Sequence, residues 1–285
     1  MEQKKAEEWD LVIRPQSSFL DLNLGEVWRY KDLILLFVKR DFASQYKQTV
    51  LGPVWHLIQP ILTTAIFLLL FGKIANIPTD GIQPVLFYMS GITLWNYFSG
   101  CLVSTSNTFI TNAPIFGKVY FPRLVIPLSI VISNIIRLGI QFALLLAAMI
   151  WYHFRGFPIY FGFSWLWIPV LLLLIAGISL GLGIIISSLT TKYRDLAILI
   201  TFVVQLMMYV TPIGYPMSYL SHSKYKSIIE LNPLTSIIES FRYALYAKGN
   251  FDFHGLLYSF IFMTITLLIG LFIFSKVERS FMDTV

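Results

Sequence analysis

Six stretches of this chain, at about 53–73, 85–108, 124–151, 165–190, 196–213 and 255–275, are almost unbroken runs of apolar side chains. Each approaches the ~20 residues that a helix needs to cross a hydrocarbon core. In lipid an amide has no water to bond, so runs of this length read as helices that satisfy their own backbone. The charge content agrees: 13% of the 285 residues are charged, against about 25% in soluble domains. The expected fold class is an all-α membrane protein with six transmembrane helices.

The flanks of these runs set an orientation. Eight basic residues lie before the first run (Lys4, Lys5, Arg14, Arg29, Lys31, Lys39, Arg40, Lys47). Lys118, Arg123, Lys192, Arg194, Lys276 and Arg279 fall on the same side, making fourteen; Lys73, Arg155, Lys224, Lys226, Arg242 and Lys248, six, fall on the other. The basic excess marks the cytoplasmic side, which puts both termini there. The net charge of +6 therefore reads as membrane orientation, not as nucleic-acid binding. Trp95, Trp151, Trp165 and Trp167 fall near span ends, where amphipathic rings are comfortable. The first twenty residues hold no apolar core of signal-peptide length.

Residues 1–48 divide from the spans of 49–285. Residues 1–22, with Pro15, read as a loosely ordered lead. Asn23 and Glu26 have the spacing of a helix cap. The helix that follows, to about Tyr46, sets Val27, Tyr30, Ile34, Phe37 and Phe42 near one face. Arg29, Lys31, Asp32, Lys39 and Arg40 border that face, as in a helix lying in the membrane interface; a helix packed on a soluble partner shows the same pattern. Gly52-Pro53 then lets the chain bend and enter the bilayer.

Two connections are more than tethers. Within 212–247, Asn232 and Pro233 are a cap and a first-position proline for a helix ending near Tyr246. About fourteen residues are too few to cross, so a surface-lying or re-entrant helix is expected. It carries Glu239 and Arg242 three residues apart and an apolar stripe of Leu234, Ile237, Ile238, Phe241 and Leu245, one side of which should be buried against spans five and six. The other connection is 112–123. Pro114 can open a short helix and Pro122 must close one, leaving Ile115, Phe116, Val119 and Tyr120 exposed; a partner, or a tight tuck against the bundle, would cover them.

No catalytic or metal-binding constellation emerges. There is no phosphate-binding glycine loop, the four histidines are scattered, and Cys101 is the sole cysteine. Inside the spans, Asn134, Arg137 and Gln141 share one helix face, and His56, Gln59 and Thr63 another. An arginine at mid-membrane faces protein or water, so these stripes are either struts between helices or the lining of a pore. Aromatics of the outer half, among them Phe87, Tyr88 and Tyr209, suit a sliding glycan, though packing alone accounts for such rings as well.

Several of these residues together carry a resemblance. Arg40-Asp41, Tyr46-Lys47-Gln48, Leu51-Gly52-Pro53 and Gln59-Pro60 resemble the N-terminal signature of permease subunits of ABC exporters for bacterial polysaccharides of the O-antigen type. Lys118 through Arg123 resembles their coupling helix. The resemblance implies a homodimer joined to two nucleotide-binding subunits, in which ATP and magnesium belong to the partner and this chain holds no cofactor. It implies coupling residues Pro114, Phe116, Lys118, Tyr120, Phe121 and Arg123. It implies a periplasmic gate, formed by a re-entrant helix pair before the last span, with Pro212, Pro216, Asn232, Pro233, Glu239 and Arg242. The channel would be lined by His56, Gln59, Phe87, Tyr88, Asn134, Arg137, Gln141 and Tyr209 and carry a lipid-linked polysaccharide, among membrane lipids, across the bacterial inner membrane. Capsule and teichoic-acid exporters are similar. Two other classes stay open on the residues alone. One is a proton-coupled carrier with Arg137 and His56 as relay groups; the other is a membrane glycan polymerase or ligase.

Overall fold

The structure is a computed structural model that describes residues 24–281, apart from 48, 50, 51, 159, 161 and 222. The lead, the Asn23–Glu26 cap, and Gln48 and Leu51 of the N-terminal signature lie outside the described residues. All regular structure among the described residues is helical. Helix α1 (Leu24–Arg29) meets α2 (Lys31–Tyr46) at a one-residue turn, Tyr30. A 3-10 turn at Gly52–Val54 opens α3 (Trp55–Phe67), which continues as a π-helix over Leu68–Ile74. Then come α4 (Pro84–Ser106), α5 (Thr108–Phe116), α6 (Val125–Phe154), α7 (Trp167–Thr190), α8 (Leu196–Val210), α9 (Lys226–Glu230), α10 (Pro233–Tyr246) and α11 (Phe253–Phe281).

Four of these helical stretches are long and apolar enough to cross a membrane: Gly52–Ile74, Val125–Phe154, Phe163–Thr190 and Phe253–Val277. The other two expected spans are α4, of 23 residues, and the shorter α8, of 15. Helix α4 is the central post, with sixteen of its 23 residues buried. That explains its polar content: it meets protein on most sides, and Ser90, Thr93 and Ser106 donate their hydroxyls to its own carbonyls three or four residues back. Helices α6, α7, α3 and α8 surround it. Helix α8 stops at Val210, short of the expected 213, because Pro212 bars the α conformation at Thr211 and cannot donate to the ladder.

Lipid offers no hydrophobic drive for helices to pair, so close backbone approach matters more here than in water. Helices α7 and α11 show it. A Cβ on Gly181 would sit 2.9 Å from the Leu267 amide nitrogen and from Thr266 Oγ1. Gly177 and Gly181 form a small-xxx-small pair facing α11.

A second, smaller core gathers Val27, Phe37, Phe109, Phe116, Phe121, Val125 and Phe274. It joins α2, α5, the end of α11 and the 117–124 turn. Phe42, on the apolar face of α2, is 38% exposed and meets the Tyr46 ring at 4.5 Å between centroids.

Candidate functional site

Three places bear on function, and they differ in how their polar groups are satisfied. The first is the segment 211–247. Asn232 caps α10 as its sequence predicts: Oδ1 accepts from the Leu234 amide at 3.0 Å, and Nδ2 donates to Thr211 Oγ1 at 2.9 Å. Glu239 and Arg242 form an ion pair at 2.9 Å. The guanidinium also donates to the carbonyls of Pro212 (2.8 Å) and Ile213 (2.9 Å) and lies over the Phe87 ring at 3.6 Å. Arg242 thus binds carbonyls of the non-helical stretch that follows α8. Tyr246 donates to the Leu86 carbonyl at 3.1 Å, and Pro216 precedes a 3-10 turn at Met217–Leu220. The expectation of a one-sided α10 is corrected here. Twelve of its fourteen residues are buried, because α4, α7 and α11 all pack around it.

The second place is the flank where α3, α4, α6 and α8 meet. A cavity of about 200 Å³ is lined by His56, Gln59, Asn96, Asn134, Arg137 and Gln141, among others. Five of the eight sequence-derived lining residues therefore converge. Arg137 sits at its edge, donating to Gln45 Oε1 at 3.1 Å and to Asn134 Oδ1 at 3.3 Å; Asn96 donates to Gln141 Oε1 at 3.2 Å. An adjoining cavity of about 480 Å³ runs between Gln59, Thr63, Asn96, Thr201, Gln205 and Tyr209. Toward α2, a third of about 420 Å³ holds Arg40, Asp41, Gln45, Ser133, Asn134 and Arg137. Phe87 and Tyr88 lie elsewhere. Both are fully buried, Phe87 beneath Arg242 and Tyr88 against Phe67.

The third place is the turn. Helix α5 runs through Pro114 to Phe116, so the short helix expected between Pro114 and Pro122 is absent; its residues divide between the end of α5 and a turn. Pro114 lies inside that helix, where it withholds an amide from the Ile110 carbonyl, and the helix closes at Gly117. Phe116, Phe121 and Arg123 face inward, with the Arg123 guanidinium 5.4 Å from the Phe116 ring centroid. Lys118 is exposed, and Val119 and Tyr120, 57% and 71% exposed, form the outward tip.

Gln45, Asn96, Thr201 and Gln205 were missed by sequence reasoning. Asn96 and Gln205 were detectable as lone amides inside apolar runs, since such groups in lipid require a partner. Gln45 shows its role only once α2 is docked on α6. Burial also pushes the Tyr46 hydroxyl upward, with Arg137 opposing, so it remains a protonated donor. Among the described residues no three His, Cys, Asp or Glu side chains gather as a metal site.

A bundle of long apolar helices with a polar flank and a buried re-folded segment defines a multi-pass membrane protein of the transporter type. Residues 32–246 match the family described as ABC-2 type transporter, and the chain belongs to that family. It is 31% identical, over 92% of its length and 96% of the relative's, to an O-antigen export system permease protein RfbA from Klebsiella pneumoniae. A second protein of that name from the same organism is 31% identical over 265 residues. One from Myxococcus xanthus is 26% identical over 78% of this chain and 83% of its own.

Proposed function

We propose that the chain is the membrane-spanning permease subunit of an ATP-driven exporter that moves a lipid-linked O-antigen polysaccharide across the bacterial inner membrane. The names of its relatives support the substrate. The observation that carries the mechanism is the polar flank. Gln59, Thr201 and Gln205 are exposed on helices that otherwise present Ile61, Ile66, Leu199, Phe202 and Leu206 outward. An amide turned to hydrocarbon is costly, and polar side chains within spans normally face protein or a wet cavity. A second copy of the chain, set against this flank, turns two open grooves into one hydrated conduit.

In this reading α4 and α8 complete six spans, and both termini are cytoplasmic. Helices α9 and α10 form a re-entrant gate on the outer side, where irregular backbone is tolerable because protein encloses it. The exposed tip at Val119 and Tyr120 seats in the nucleotide-binding subunit, which holds ATP and magnesium. The residues inside the spans bind no cofactor in this scheme; they line a path.

Co-expression with the candidate ATPase subunit tests the reading. The chain alone should hydrolyse no ATP, the pair should co-purify and hydrolyse it, and cells lacking the chain should lose surface polymer. ATP turnover by the chain alone, or normal surface polymer without it, would overturn the proposal.

A further inference from the structure

The cavities around Arg137 have a chemistry of their own. Among the described residues Arg137 bonds only to neutral oxygens, those of Gln45 and Asn134. The single carboxylate lining the α2-side cavity, Asp41, is occupied: Arg40 donates to its Oδ1 from Nε at 2.9 Å and from Nη2 at 2.7 Å. Two guanidiniums and one carboxylate leave this pocket with an excess positive charge. Around it stand buried polar atoms with no partner: Tyr46 Oη, His56 Nε2 and Ser133 Oγ. Tyr46 and His56 meet edge-on, with ring centroids 5.6 Å apart. A buried polar group left unsatisfied costs about 1–3 kcal/mol, so two hydroxyls and an imidazole nitrogen together mark a place for a polar ligand. The approach itself is built in, because a Cβ at Gly100 would come within 2.8 Å of Asn134 Oδ1, the group that holds Arg137.

We infer that Arg137, with Tyr46, His56 and Ser133, binds the phosphate or pyrophosphate headgroup of a lipid whose chain lies along the α3 flank. A guanidinium fits a phosphate through paired N–H donors, hydroxyls add donors, and the exposed apolar face of α3 suits an acyl or isoprenoid tail. The inference rests on the permease reading, and gives that transport path its docking point beside the interfacial helix. The headgroup has two sources, a lipid-linked substrate or bulk anionic phospholipid.

The test is native mass spectrometry of the full chain in detergent, titrated separately with a long-chain polyisoprenyl pyrophosphate, the matching neutral polyisoprenol, phosphatidylglycerol and phosphatidylcholine. Wild type should hold the pyrophosphate at least tenfold tighter than the neutral alcohol. Arg137→Gln should weaken it tenfold or more, and Arg137→Lys less. Preference for the pyrophosphate over phosphatidylglycerol assigns the site to substrate; equal binding of the two, both lost in Arg137→Gln, assigns it to bulk lipid phosphate. Binding that is unchanged in Arg137→Gln, or equal for the neutral alcohol, overturns the site. If Arg137→Gln does not assemble, Tyr46→Phe and Ser133→Ala decide: each should weaken the pyrophosphate severalfold, and no effect from either overturns the site. These measurements need no ATPase partner, so the headgroup site can fail while the co-purification test upholds the permease reading, and the reverse.

Discussion

The two polar regions of this bundle differ in how far they satisfy themselves. In 211–247, Glu239, Asn232 and the terminal nitrogens of Arg242 find partners inside the chain, the carbonyls of Pro212 and Ile213 among them, and of the buried side-chain atoms only Arg242 Nε and Ser240 Oγ are left without one among the described residues. Along the α3–α4–α8 flank, Gln59, Thr201 and Gln205 face outward, and beside it His56 Nε2 on α3 and Ser133 Oγ on α6 have no partner among the described residues. Satisfied polar groups hold a shape, whereas unsatisfied ones await something that arrives. In the proposed scheme the first region is the gate, held together so that it moves as a unit, and the second is where a second copy and a substrate would complete the exporter.

Mutations sharpen that contrast. The largest effect belongs to Arg242→Ala, which leaves Glu239 charged and unpartnered among α4 and α10; breaking such a pair costs about 3–5 kcal/mol. The purified protein should unfold well below wild type in a thermal scan, and an unchanged midpoint would dissolve the distinction between the regions. Next comes Phe121→Ala. Its ring packs against Phe37 and Phe116 at 5.7 and 5.8 Å between centroids, so the variant should lose about 3 kcal/mol of stability. Its neighbour Tyr120 points outward, and Tyr120→Ala should leave thermal unfolding unchanged. It should weaken ATPase-subunit binding by about 2 kcal/mol, roughly thirtyfold, as loss of an interface anchor does. Binding titrations on both variants separate a core aromatic from a docking one. Smallest is Gln205→Leu. With no intrachain bond to lose, it should shift the unfolding midpoint of the single subunit little, within about 0.5 kcal/mol, while lowering polymer export.

Much of this was legible beforehand. The six apolar runs match helices to within a few residues at most ends, and four of those helices are long and apolar enough to cross a membrane. Asn232-Pro233 predicts its helix start, and the Arg137 and His56 stripes point at one cavity from two separate helices. What was hidden needed three dimensions. An apolar stripe on α10 cannot reveal that its polar face is also enclosed, since Glu239 and Arg242 are buried by α4 and the Pro212 segment, far away in sequence. The 112–123 connection misled because Pro114 reads equally well as a helix opener and as a residue near a helix end. Phe121 looked like Tyr120 in sequence, and α2, docked some 80 residues away, decides which of the two turns inward. The Gly177–Gly181 spacing was readable as a helix-packing signal.

The claim that the polar flank is completed by a second copy has one direct test. In a Cys101→Ser background, a cysteine at position 205 should be cross-linked between copies by a short bismaleimide in native membranes, giving a covalent dimer on a denaturing gel. A cysteine at Ile150, exposed (53%) on α6 away from the flank, should not. If Gln205→Cys stays monomeric while a membrane-soluble maleimide labels it fully, the flank faces lipid and the shared conduit is contradicted.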